Sequence, residues 1–399
     1  MERTIYRELP ATRHVWEIAI LLGVFLVGML GAVVYTEHHG HIVTGMNNQV
    51  VWGLPHVFAI FLIVAASGAL NVASIASVFG QVPYKPMSRL SGLLAISLLA
   101  GGLAVLVLDL GRPDRLIIAM TYYNFTSIFA WNVILYTGFM VIVGAYLVVQ
   151  MNRSMQAYVK LVGFVAFVWR LALTTGTGSI FGWLVARSGY DAAVMAPLFI
   201  AMSFAFGLAM FILVQSLLFK LADRPIGPLI QRRMGRLLAV FCGAVLYVTV
   251  VRHLTNLYAA EHVAYEKFIL LEGGIYTTLF WFGQVLVGGI APILVIFHPT
   301  FGQTAKAAII ASILVVFGGF AQLYVIVIGG QAFPMEIFPG YEVSSTFHDG
   351  VVNAYTPAWP EIVLGLGGVA IALVAVGLGT KILRILPTNL SDVNIGQSN

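Results

Sequence analysis

The chain has 399 residues, 60% of them hydrophobic and 9% charged, with a mean hydropathy of +0.94 and a net charge of +5. A soluble domain carries about 25% charged residues, so a soluble globular fold is excluded and an all-α, polytopic membrane protein is expected. A single cysteine, Cys242, excludes an intrachain disulfide, a four-cysteine iron–sulfur cluster and a CxxCH haem attachment.

A spanning helix needs roughly 20 apolar residues. Ten runs meet that length: Val15–Tyr35, Trp52–Phe79, Leu90–Leu110, Thr126–Val149, Tyr158–Ala186, Ala192–Phe219, Arg236–Tyr258, Leu270–Phe297, Thr304–Gly330 and Trp359–Leu386. No small-residue cleavage site follows the first run, so it is expected to remain as a span. Most connections are short. The exception is 331–358, whose prolines and aromatics and lack of Lys or Arg point to an ordered cap or docking surface rather than a slack linker.

Lys and Arg set the orientation. With the N-terminus in the cytoplasm, fifteen fall on inner segments, five on outer segments (Arg112, Arg115, Arg187, Arg252 and Lys267), and Arg170 lies within a run. Both termini are therefore expected to be cytoplasmic, with 331–358 outside. Eleven of the sixteen acidic residues fall on the outer side, including Glu336, Glu342 and Asp349. The basic inner face reads as topology and anionic lipid, with no nucleic acid partner.

Depth follows from position along each helix, at about 1.5 Å per residue. His56 lies one turn in from the outer face. Asp109 and Arg112 end the third run there, and Trp131 and Asn132 begin the fourth. Thr174 and Thr177 occupy the outer half of the fifth run, above Arg170 near mid-membrane. Arg252, His253 and Asn256 end the seventh run on the same side. A charge at the depth of Arg170 needs a partner or a wet cavity. Asp109 lies three residues from Arg112, a spacing that allows a structural pair, and Trp131 also suits an aromatic belt. His14, His56, His253 and His298 offer one histidine pair per face and none well inside, which argues against a b-type haem. No metal site is expected.

Two blocks stand out: DLGRPDR at 109–115 and SIFAWN at 127–132. Together with WGLPHVFAIFLIVAASGALNVAS at 52–74 and GQAFPMEIFPGYE at 330–342, they resemble the NrfD/polysulfide-reductase membrane-subunit family. The text of the second run and the ten spans are most similar to its ten-helix branch, HybB-like and above all DsrP-like, the latter from the DsrMKJOP complex of sulfur-metabolising bacteria. The resemblance implies two four-helix bundles, helices 2–5 and 6–9, flanked by helices 1 and 10, in the bacterial cytoplasmic (inner) membrane. It implies a quinone (menaquinone or ubiquinone) bound near the outer face, without a redox metal in the subunit itself. It also implies a periplasmic ferredoxin-like iron–sulfur partner and further membrane and cytochrome subunits.

The positions that match the family's motifs are His56, Asp109, Arg112 and Trp131. A family tyrosine belongs near the outer end of helix five, where this chain reads TTGTGSIFGW, so Thr174, Thr177 or a neighbouring helix would take its place. In the mechanism these residues suggest, His56 donates to a quinone carbonyl and shuttles protons. Asp109 holds Arg112 or relays protons outward, and Arg170 stabilises negative charge or gates a proton path. A non-catalytic anchor for redox partners and a secondary transporter are the competing readings.

Overall fold

The computed structural model describes residues 4–335 and 350–392. Most of the GQAFPMEIFPGYE motif, and Glu336, Glu342 and Asp349, lie outside the described residues. Among the described residues, ten helices are long and apolar enough to cross a membrane: α1 (Arg13–His39), α2 (Leu54–Ser77), α3 (Val82–Leu108), α4 (Ile128–Met151), α5 (Arg153–Ile180), α6 (Met195–Leu221), α7 (Pro228–Tyr258), α8 (Ile275–Phe297), α9 (Ala305–Ala332) and α10 (Trp359–Ile382). The chain is an all-α polytopic membrane protein. Its only sheet among the described residues is a clasp in which β1 (Tyr6–Arg7) pairs antiparallel with β2 (Leu386–Pro387), tying the two ends of the chain together.

Several helix ends depart from the apolar runs, each for a local reason. Pro228 opens α7 eight residues before the run, in the first helical turn, where its missing N–H costs nothing. The eighth run is cut at Gly273–Gly274, where Gly274 takes φ +58°, so the crossing helix starts at Ile275. The fifth run overshoots: α5 stops at Ile180 and the next residues turn back on it, with Trp183 N donating to Ser179 O. The chain leaves α10 at the extended Leu383 and leads into β2 rather than continuing the helix.

Helices α2–α5 pack as one four-helix ring and α6–α9 as a second, while α1 lies on α10 and α10 on α2 and α3. The seam between the rings is centred on α2 against α6, the two most buried spans (89% and 78%), with α5 also packing on α6, whereas α1 is only 11% buried. Glycines make the seam possible. A Cβ on Gly68 would sit 1.6 Å from Ser203 O, and one on Gly207 would sit 2.0 Å from Gly68 C. Without a hydrophobic driving force between helices in lipid, such close backbone approach is a main source of attraction.

Candidate functional site

The end of the fold that the charge bias assigns to the outside carries a compact polar and aromatic cluster. Helix α2 starts there with Gly53 as its N-cap and Pro55 in its first turn, a pair suited to helix initiation. The stretch of loop before it is held by Gln331, at the outer end of α9. Gln331 Oε1 accepts from Val51 N (3.0 Å) and Trp52 N (2.9 Å), and Nε2 donates to Trp52 O (2.9 Å). Arg187 fixes both sides of this clamp, donating to Gln331 O (2.9 Å) and Gln49 O (2.8 Å).

Trp52 and His56 are thereby set four residues apart across the start of α2. Their rings stack at 5.9 Å with 20° between planes. His56 Nδ1 lies 2.8 Å from Asp109 Oδ2, an ion-pair contact whose angle is off that of an ideal hydrogen bond; among the described residues neither atom has another partner. The Asp109 side chain is 4% exposed and that of His56 16%, so the carboxylate is buried and the imidazole reaches the edge of the cluster. Trp52 is walled on its other sides by Tyr190 (6.1 Å, 21°), Phe181 (5.9 Å, 80°) and Phe129 (6.1 Å, 67°).

Arg112 and Trp131 are not drawn into this cluster. The pairing of Asp109 with Arg112 that their spacing allows does not form, because α3 ends at Leu108 and beyond it residues three apart no longer share a helix face. Asp109 turns inward to His56. Arg112 turns outward and grips Asp114 with two bonds (3.0 and 2.9 Å), its side chain 63% exposed. That grip holds the Asp114 carboxyl below the usual carboxylate range. Trp131 is 45% exposed and donates through Nε1 to Phe125 O (2.9 Å), the posture of a belt residue.

Beneath the cluster runs a buried polar ladder on α5. Thr177 Oγ1 bonds Tyr136 OH (3.2 Å) and Leu173 O (3.0 Å), and Asn132 Nδ2 donates to Gly176 O (3.0 Å), stitching α4 to α5. Thr174 Oγ1 donates to Arg170 O (2.7 Å) and lies 2.6 Å from Ser67 Oγ on α2. Both threonine hydroxyls are thus taken up by helix–helix bonding and are fully buried. Arg170 is 1% exposed. Its Nη1 donates to Ser67 O (3.2 Å), and its guanidinium lies over Phe167 (5.0 Å) and Phe204 (4.9 Å).

Sequence reasoning missed Trp52, Phe181 and Tyr190. Trp52 was detectable, four residues before His56 and so on the same side of the chain as it enters the helix. Tyr190 was not, because it sits in the α5–α6 connection and reaches the cluster only by folding back; its phenol donates to Val327 O. It places a tyrosine beside the outer end of α5, where TTGTGSIFGW has none.

The second ring has its own buried pair. His253 Nδ1 lies 2.5 Å from Glu266 Oε2, and Asn256 Nδ2 donates to Glu266 Oε1 (2.8 Å).

A family model described as "Polysulphide reductase, NrfD" matches residues 42–335, which include both α2 and the Asp109 loop. The chain belongs to the NrfD/polysulfide-reductase family. It is 29% identical, over 92% of its length and 93% of the relative's, to the Hdr-like menaquinol oxidoreductase integral membrane subunit of Archaeoglobus fulgidus. It is 27% identical to a Halobacterium salinarum protein provisionally named as a membrane subunit of dimethyl sulfoxide reductase (92% and 90% covered). It is 22% identical to a selenate reductase subunit of Mesobacillus selenatarsenatis (90% and 91% covered).

Proposed function

We propose that this family member is the quinone- or quinol-binding membrane subunit of a multisubunit redox complex. It would exchange electrons between the quinone pool and a ferredoxin-like iron–sulfur subunit on the outer, periplasmic side of the bacterial inner membrane, within dissimilatory sulfur metabolism. The observation that carries the reading is the His56–Asp109 pair stacked under Trp52 at the outer end of the first ring. The name of the Archaeoglobus relative favours menaquinol over ubiquinol, and the DsrP-like text of α2 favours the sulfur context.

The residues present fit such a group. Quinone sites need apolar walls and few, well-placed polar groups; here Trp52 and Phe129 give apolar surface, backed by the buried rings of Phe181 and Tyr190, and His56 gives a donor at its edge. A bound quinol supplies two electrons and two protons on oxidation. His56, with Nδ1 facing Asp109, keeps Nε2 for hydrogen bonding and proton exchange. Asp109 selects the tautomer and stabilises the imidazolium. Trp52 holds the plane of the ring. Arg170 supplies a fixed positive charge deeper along the same helices.

His56→Ala in the assembled complex tests the assignment. Loss of positioned acid–base chemistry typically costs about 10²–10⁴-fold, so quinol turnover is expected to fall at least about 10²-fold while the complex still assembles. Unchanged turnover removes His56 from the site.

A further inference from the structure

Two buried carboxylates at the outer end of the fold share one cavity. It lies between α1, α3 and α10, with Ala32, Thr36, Thr44, Asp109 and Glu361 in its wall, and has about 10 Å³ of space for a water centre, room for a single molecule. Among the described residues no Lys, Arg or His lines it. Asp109 is 8% exposed and Glu361 1%, while Thr36 and Thr44 are half-buried.

Glu361 is held in place from several directions. Its Oε2 accepts from Gly45 N (2.7 Å) and Ala358 N (2.8 Å), and its Oε1 from Tyr355 OH (2.6 Å), which in turn accepts from Leu54 N. Cβ atoms on Gly53 and Gly45 would fall 2.4 and 3.1 Å from those oxygens. Burial, then the bond to Glu361, drives the Tyr355 phenol far above its ordinary range, so the tyrosine stays a donor and the carboxylate its acceptor. A carboxylate has about four acceptor sites; three are used here, which leaves one for a water in the cavity. Two carboxylates around one water site, with His56 touching Asp109 and no basic side chain in the wall among the described residues, favour a water that carries an extra proton.

We propose that this cavity is a proton-release site that binds hydronium, fed by Asp109 and counter-charged by Glu361. The proposal rests on His56–Asp109 as the proton-handling pair. The transfers involve protons alone. The His56 Nδ1–H bond breaks as an Asp109 O–H bond forms; that O–H breaks as the cavity water becomes hydronium; the hydronium gives one proton to outer water. The sequence runs equally in reverse.

The test needs no quinone turnover. In the quinone-depleted complex, infrared spectroscopy after a pH jump follows the carboxyl band that Asp109→Asn abolishes. The band is expected to follow outer pH promptly in the native protein. It should lag at least 10-fold in Ala32→Leu, which fills the cavity, and several-fold in Thr36→Val, which removes a hydroxyl without changing shape. Native kinetics in both variants overturn the proposal; if Ala32→Leu does not assemble, Thr36→Val alone decides. A shift of the band by sodium at constant pH overturns it as well, making the cavity a metal-cation site. Failure of the quinone assignment would appear separately, as native quinol turnover in His56→Ala.

Discussion

Trp52 and His56 stack through an indole and an imidazole four residues apart across the start of α2, 5.9 Å between centroids and 20° between planes. Aromatic pairs of this kind contribute about 0.5–1.5 kcal/mol beyond their buried area. Removing the indole frees the imidazole to rotate away from Asp109. Trp52→Ala is therefore expected to lower quinol turnover by about 10-fold, since roughly 1.4 kcal/mol is a factor of ten. Trp52→Phe should keep most of it. Steady-state quinol oxidation in the two variants checks this, and equal activity in both would show that the stacking does not position His56.

The ten spans were legible because lipid imposes a length and composition on every crossing helix. Their ends were less so, because Gly273–Gly274 and Pro228 act locally against a continuous apolar signal. His56 and Asp109 each stood out as polar residues near the outer face. Their partnership did not, since they belong to different helices and the short spacing pointed Asp109 at Arg112 instead. Glu266 and Glu361 were merely two of the eleven acidic residues counted on the outer side; burial and bonding to His253 and to Tyr355 appear only when the connections fold back over the rings. Arg170 was recognisable as a charge needing an explanation, but its two phenylalanine neighbours sit on α5 itself and on α6, and only the second ring's packing brings Phe204 to it.

The α2–α6 seam makes a sharp prediction about two glycines. A Cβ at Gly207 would overlap Gly68 backbone, 2.0 Å from its carbonyl carbon, whereas one at Gly243 meets nothing within 4 Å. Gly207→Ala should destabilise by about 1–3 kcal/mol, the usual cost of overpacking. Gly243→Ala removes a helix-interior glycine without a clash and should be neutral or stabilising by roughly 0.5–1 kcal/mol. Thermal unfolding in one detergent compares them; a Gly207 variant as stable as the Gly243 variant would mean the rings do not need that contact.

Glu266 is the shared acceptor of His253 and Asn256 and is fully buried. Removing one partner of a buried pair typically costs about 3–5 kcal/mol, because the other is left uncompensated, while replacing both by apolar groups is often neutral. Glu266→Ala should therefore lower the unfolding temperature strongly, and His253→Phe/Glu266→Leu should recover most of the loss. If the double variant is as unstable as the single one, the ring depends on the polar pair itself and not on its mutual satisfaction.

Arg170 sets the hardest balance of forces in the fold. Its guanidinium is 1% exposed at mid-helix, and among the described residues its partners are one carbonyl and two rings, with Nε unsatisfied. Desolvated cation–π contacts are worth about 2 kcal/mol, which offsets only part of the cost of burying a charge. Arg170→Met keeps length and volume and removes that cost, so thermal stability should stay level or rise by roughly 1–4 kcal/mol. Arg170→Lys should be the less stable variant, because a compact, strongly hydrated ammonium cannot lie flat between Phe167 and Phe204. Stability and activity separate the two reasons for keeping the residue. A stable Arg170→Met protein that has lost quinol turnover would show that the charge is retained for function. A stable protein with native turnover would show that neither the fold nor the reaction needs it.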